Sequence, residues 1–419
     1  MKRRSAPRGM GALSLVEHAL CPLDARTSLR PNLVHETEYR FLNRSRHWET
    51  AHVRVFCPLG LSAQDELYLW GLLALTLRQS EPAPEFHATP HFCLRQWGLI
   101  DTKARRGGRQ YQQFAAAIER LSVVKYLNDR FYDPIRAEHR QVSFGFFSYS
   151  LPIDPQSNRA WRFYWDPLFL EFMRAAGGAL HFDLNLYRQF DPASRRLFLL
   201  ASKVFPRRSS LTLELRHLAV NVLGLAASLI PRDQLAKTRR CLRQLSAHGV
   251  VAPTQPHTIV KQERGKYTVN LVKGSGLGKS QATPDVAAES PLTATLGELC
   301  LDAPKIRSLL REYRHSLLQE WADITLAARE RFGPSFFKRS PAAFFLDNVK
   351  HAAAGHRTAP DWWHTVRKAE ERQRLDALRR QLPGDQPALC RKAAGPTATR
   401  PDCLTPIADI LDRLPVPTK

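Results

Sequence analysis

PRDQLAKTRRCLRQLSAHGVVAPTQPHTIVKQERGKYTVNLV, residues 231–272, decides how the chain is read. Pro231 suits the first position of a helix, where its missing N–H has no partner to lose. Leu235, Leu242 and Leu245 recur on one face, and Gly249 ends the run. Arg232, Lys237, Arg240 and Arg243 lie on the outward side, with Gln234 and Gln244 nearby. Residues 257–272 carry β-type runs on either side of Arg264-Gly265, which reads as a hairpin. Lys261, Arg264 and Lys266 then sit at its tip, placed to touch nucleic-acid backbone or a minor groove.

Two helical patterns precede this stretch. DPASRRLFLLASKVF (191–205) places Asp191 at the cap and Pro192 at the first position, and LTLELRHLAVNVLG (211–224) reads as a second helix ending in Gly224. WRFYWDPLFLEFM (161–173) and HFDLNLYRQF (181–190) read as mixed strand and turn. Three helices followed by a hairpin are the element order of a winged helix.

The same order occurs earlier in the chain. SAQDELYLWGLLALTLRQ (62–79) is a helix with Ser62 as its N-cap and Asp65 and Glu66 in the dipole-favoured first turn. FCLRQWGL (92–99) is a second, closed by Gly98, and GRQYQQFAAAIERLSVV (108–124) is a third. KYLNDRFYD (125–133) and QVSFGFFSYSLPI (141–153) then form a hairpin, while NLVHETEYRFLNRS (32–45) and HVRVFC (52–57) carry β-type runs before the unit. On the third helix, Tyr111, Phe114, Ile118 and Leu121 make one apolar stripe. Gln110, Gln113 and Arg120 occupy the other face. Lys103, Arg105, Arg106 and Arg109 crowd its N-terminal end around Gly107-Gly108. Like charges so close repel one another unless an anion faces them, and a helix N-terminus with free N–H groups suits phosphate. Gln and Arg also have the geometry to read adenine and guanine edges.

Composition agrees with an anionic partner. The 419 residues carry a formal charge of +23 and a pI near 10.2, which points first to nucleic acid. An apolar content of 43% is enough to build cores, and the length suggests more than one domain. No apolar run approaches the ~20 residues of a membrane span. The start is basic but lacks a continuous apolar segment, so no secretion signal is read. Seven scattered cysteines read as reduced intracellular thiols.

The expected organisation is α+β: tandem winged-helix domains followed by a small all-α C-terminal region. Residues 1–32 form a flexible basic arm, 33–155 the first winged helix and 156–273 the second. A linker spans 274–294, helices fill 295–382, and a disordered tail covers 383–419.

Motifs for other chemistry are incomplete. KGSGLGKS (273–280) ends like a phosphate-binding loop, but Lys273 stands at the first glycine and Pro284 blocks the helix that should follow. HETEY (35–39) has Tyr39 where a zinc signature needs histidine. There is no Cys-x-x-Cys and no clustered acidic set for magnesium, and His351 and His356 miss the one-turn spacing. The aromatic runs WRFYWD (161–166) and FGFFSYS (144–150) could stack bases, but their strand spacing fits a core better. No catalytic residue, metal ligand or cofactor is expected.

Residues 33–272 resemble the plasmid replication initiator proteins, the replication initiator protein A (RepA/TrfA-like) family. The likeness rests on NLVHETEYRFLN, DELYLWGLLALTL, RRGGRQYQQFAAAIERL with its hairpin, and DPASRRLFLLASKVFP through TRRCLRQL to GKYTVNLV. It implies a cytoplasmic, non-enzymatic protein that binds repeated sites in double-stranded origin DNA and opens adjacent duplex. It also implies recruitment of a host initiator and replicative helicase, and a homodimeric form that represses its own promoter. Arg106, Arg109, Gln110, Gln113, Lys237 and Arg240 would then read bases, with Arg264 and Lys266 as wing contacts. The helices after 295 lie outside the likeness. A winged-helix transcriptional regulator and an origin-nicking enzyme are the alternatives.

Overall fold

The computed structural model describes residues 8–43, 45, 47–79, 82–100, 108–154, 157–277 and 290–381. The chain is α+β. It begins with strand β1 (Arg8–Ala12), the short helix α1 (Ala25–Ser28), and strands β2 (Leu33–Leu42) and β3 (Trp48–Cys57). Of the expected arm at 1–32, residues 8–32 are not free, and residues 1–7 lie outside the described residues. β1 pairs antiparallel with a strand at Ala179–Asp183, and Leu15, Val16, Ala19, Leu20 and Cys21 are buried. Gly9 lies against the Phe182 ring so closely that a Cβ there would sit 2.3 Å from it, which explains a glycine-rich stretch inside a strand.

The first unit runs through α2 (Asp65–Leu77), β4 (Glu85–Ala88), α3 (Pro90–Gln96), α4 (Gly108–Ser122), β5 (Lys125–Asp133), β6 (Glu138–Phe144), β7 (Phe147–Ser150) and β8 (Trp161–Trp165). The sheets correct the expected hairpin. β5 and β6 do form one, but it joins β2 and β3 in a four-stranded antiparallel sheet ordered β2-β3-β5-β6. The hairpin that pairs back onto the strand between the first two helices is β7–β8, in a sheet ordered β4-β8-β7. The expected boundary at 155/156 therefore falls between two paired strands. Phe163 and Trp165, read as core, are buried. Ser62 does not act as a simple side-chain cap: its Oγ accepts from the Gln64 N–H, and the Asp65 carboxylate accepts from the Ser62 N–H.

The second unit contains α5 (Pro167–Arg174), β9 (Ala179–Asp183), α6 (Leu184–Gln189), α7 (Pro192–Val204), β10 (Ser210–Glu214), α8 (Leu215–His217), α9 (Pro231–Ala247), β11 (Ile259–Glu263) and β12 (Lys266–Val272). Asp191 caps α7, accepting from the Ser194 N–H at 2.9 Å. The segment 211–224 is not one helix. Its first residues alternate as strand β10, and α8 then runs on through a π-helical turn at Leu218–Val222. The sheet order is β10-β12-β11. Both units thus have helix, strand, helix, helix and hairpin, with the first strand against the last.

A second apolar core holds α10 (Pro291–Glu298), α11 (Ala303–Glu312), α12 (His315–Phe332), α13 (Pro341–Ala353) and α14 (Asp361–Gln381) around Trp321, Phe345 and Trp363. The expected C-terminal helices are present. They are not separate: α10 packs against β4 and α14 against β7, and residues 1–381 form one compact unit. Most of the linker (278–289) and the tail (382–419) lie outside the described residues.

Candidate nucleic-acid interface

α9 buries Thr238, Cys241, Leu242 and Leu245 and leaves Arg232, Lys237, Arg239, Arg240 and Arg243 exposed. One face therefore docks on the core and the other is a basic surface, with Asp233 in the first turn of the helix. Arg239 was not singled out from the sequence, although the TRR triplet carried it; its exposure adds it to the set. Gln234 turns inward and donates to the Leu229 carbonyl at 3.0 Å, so it is not a base reader. Arg240 lies 3.6 Å from Asp191 yet stays 68% exposed. A contact that long and wet is worth at most ~1 kcal/mol and leaves the guanidinium available.

The hairpin β11–β12 stands beside the start of α9. Gly265, at its turn, has φ +80, and a Cβ built there would lie 3.9 Å from the ring of Pro231. The hairpin tip therefore sits against the N-terminus of α9, where the helix offers free N–H groups. Lys261, Arg264 and Lys266 are all exposed there. Lys266 meets Glu263 at 2.8 Å, but both side chains are 68% exposed, so the pair is readily exchanged for a phosphate. The basic hairpin tip thus adjoins the start of the helix whose outward side is basic.

The equivalent helix of the first unit differs. Arg109 and Gln113 are exposed and Gln110 is half-buried, while Phe114, Ala117, Ile118 and Leu121 face the core. Lys103, Arg105 and Arg106 lie outside the described residues. Arg120 does not face outward as expected. Its Nε and one terminal nitrogen each donate to Asp65 at 2.7 Å, a bidentate clamp between α4 and the start of α2. Burial opposes the charge of Arg120, but the Asp65 hydrogen bonds outweigh it and hold the guanidinium pKa above its ordinary value. Arg120 is a structural cation and not a nucleic-acid contact.

The neighbouring acid, Glu66, makes the matching pair across the units. Arg196 of α7 donates to Glu66 at 2.6 Å and to the Leu223 carbonyl at 2.9 Å, with both side chains buried. The two acids read as helix-dipole residues thus fix α4 and α7 onto α2.

Burial pushes the thiols of Cys21 and Cys57 up to about 12 and that of Cys241 to about 11, so they stay neutral. No described group of three His, Cys, Asp or Glu side chains could hold a metal ion. No described helix is long and apolar enough to cross a membrane.

No protein-family model and no curated protein matches the chain. Two solved structures resemble it. One is a selenomethionine crystal structure of domains 2 and 3 of RctB, with 17% identity over 62% of this chain and 96% of the other, at a TM-score of 0.36. The other, also RctB domains 2–3, has 12% identity with the same coverage and TM-score.

Proposed function

We propose that the chain is a sequence-specific double-stranded DNA-binding protein of the replication-initiator kind, built on two winged-helix units. It would bind repeated sites at a plasmid-type origin as monomer or homodimer, without a cofactor and without cutting DNA. It would help open neighbouring duplex in the cytoplasm and recruit a host initiator and replicative helicase. The observation that supports this most is the set of exposed cations Arg232, Lys237, Arg239, Arg240 and Arg243 on α9, with Lys261, Arg264 and Lys266 on the hairpin whose tip adjoins the start of that helix. A helix able to enter a major groove, beside a basic hairpin able to hold the flanking phosphates, is a duplex-reading arrangement.

The test is a binding titration with duplex taken from beside the gene, against a scrambled duplex at the same salt. The account expects preference on the order of 10³-fold or more for the native duplex. Equal affinity would sink sequence-specific recognition. Direct repeats in the bound sequence fit the initiator reading; a lone palindrome would instead make the protein a regulator, because site symmetry follows protein symmetry. Strand cleavage with magnesium would overturn the binding-only reading.

A further inference from the structure

The hairpin β7–β8 holds the place in the first unit that β11–β12 holds in the second. Trp161, at the start of β8, stacks on Phe114 of α4 with ring centroids 5.5 Å apart. The hairpin thus lies beside the helix that would read DNA, and it carries two arginines, Arg159 just before β8 and Arg162 within it. Neither is free. Arg159 meets Glu370 of α14 at 2.5 Å and Glu330 of α12 at 3.7 Å, and its guanidinium lies over Trp363. Arg162 meets Asp323 of α12 at 3.7 Å and Glu85 of β4 at 3.3 Å. Glu330 also accepts from the Ser157 hydroxyl at 2.7 Å and the Asn158 N–H at 2.9 Å. On the far strand, Ser148 accepts a hydrogen bond from Arg374.

The acids at this contact come largely from the C-terminal helices, which keep their own apolar core. Glu370 accepts a charge-assisted hydrogen bond from Arg159, while Glu330 and Asp323 lie at ion-pair distance; a DNA phosphate would use the same guanidinium donors. A buried ion pair adds little net stability over a well-packed apolar contact, so three acids on one hairpin call for a further role. We propose that β7–β8, through Arg159 and Arg162, is a second backbone-binding site for duplex DNA, with Glu330, Glu370 and Asp323 standing in for phosphates until DNA displaces them. This rests on the duplex-binding reading above. The closed form grips DNA with the second unit's helix and hairpin; the open form adds the first unit's hairpin.

The test uses the full-length chain and a duplex from beside its gene. E330Q/E370Q loosens the helices from the hairpin, so duplex affinity should rise about tenfold, and the slope of log affinity against log salt should steepen by about 1–2, near 0.9 for each gained phosphate contact. Adding R159Q/R162Q should cancel both changes. If E330Q/E370Q leaves affinity and slope at wild-type values, the site does not exist. A second measurement covers a variant that folds poorly: amide exchange of residues 361–376 in the unmodified chain should quicken about tenfold when duplex binds, as cover is lost. Unchanged exchange there would also overturn the proposal. Failure of the duplex-binding reading looks different, because neutralising α9 would then leave duplex affinity unaltered.

Discussion

The two units share an order of elements and differ in what their third helix shows to solvent. α9 presents Arg232, Lys237, Arg239, Arg240 and Arg243 beside an open basic hairpin. α4 presents Arg109, Gln112 and Gln113, has Arg120 clamped by Asp65, and stands beside a hairpin covered by C-terminal helices. The same element order thus carries a charge-rich face in one unit and a sparser, amide-rich face in the other; on the proposed reading the first would hold backbone and the second meet base edges. Affinity would come mainly from the second unit and a share of the discrimination from the first.

The largest expected effect breaks the framework that holds the two helices in common register. Glu66→Ala strands the buried Arg196 and should lower unfolding free energy by about 3–5 kcal/mol, measured by denaturant titration. A loss below about 1 kcal/mol would show that the junction does not depend on this pair. Next comes K237A/R240A/R243A on α9, expected to weaken duplex binding by about 100-fold at moderate salt while leaving stability within about 1 kcal/mol, since all three side chains are exposed. Gln113→Ala on α4 should be milder in affinity but more selective in kind. It should cost about 1–3 kcal/mol of discrimination at one base position, checked by binding to single-base variants of the site. A uniform loss across all sequences would instead place Gln113 on backbone.

A separate effect, on stability alone, concerns pH. Burial holds His18 down to about 3 and His35 to about 4, so both are neutral in the fold. Unfolded, each titrates near 6.5. Between about pH 4 and 6.5 the unfolded chain therefore binds more protons, and stability falls as pH drops, by up to ~1.4 kcal/mol per unit for each histidine. Denaturant midpoints measured from pH 7 to 5 should decline. His18→Gln should flatten that decline, and a flat wild-type profile would show that these histidines are not buried neutral.

Much of this comparison was legible in the sequence. α9, α7 and their caps could be read because apolar spacing, Asp191, Pro192 and Gly249 are local signals. What sequence order did not show was pairing. β5 pairs with β6 as expected, but its other edge joins β3, some seventy residues earlier, and β7–β8 is the hairpin that closes onto the strand between α2 and α3. β10 was hidden because LTLE runs straight into the leucine-rich LRHLAV, and strand and helix periods blur over so few residues. β1 was hidden by glycines that exist to let it lie on Phe182. On the surface, exposure of the α9 cations followed from helical period. The inward turn of Arg120 depended on Asp65, distant in sequence, which no local pattern reports.

The central claim, that α9 supplies phosphate contacts to duplex DNA, is tested most directly by the salt dependence of binding. Affinity for a duplex from beside the gene should be measured across a salt series for the natural chain and for K237A/R240A/R243A. Loss of three phosphate contacts should reduce the magnitude of the slope of log affinity against log salt by about 2–3. Superimposable slopes would contradict the account and show that this face of α9 points away from DNA.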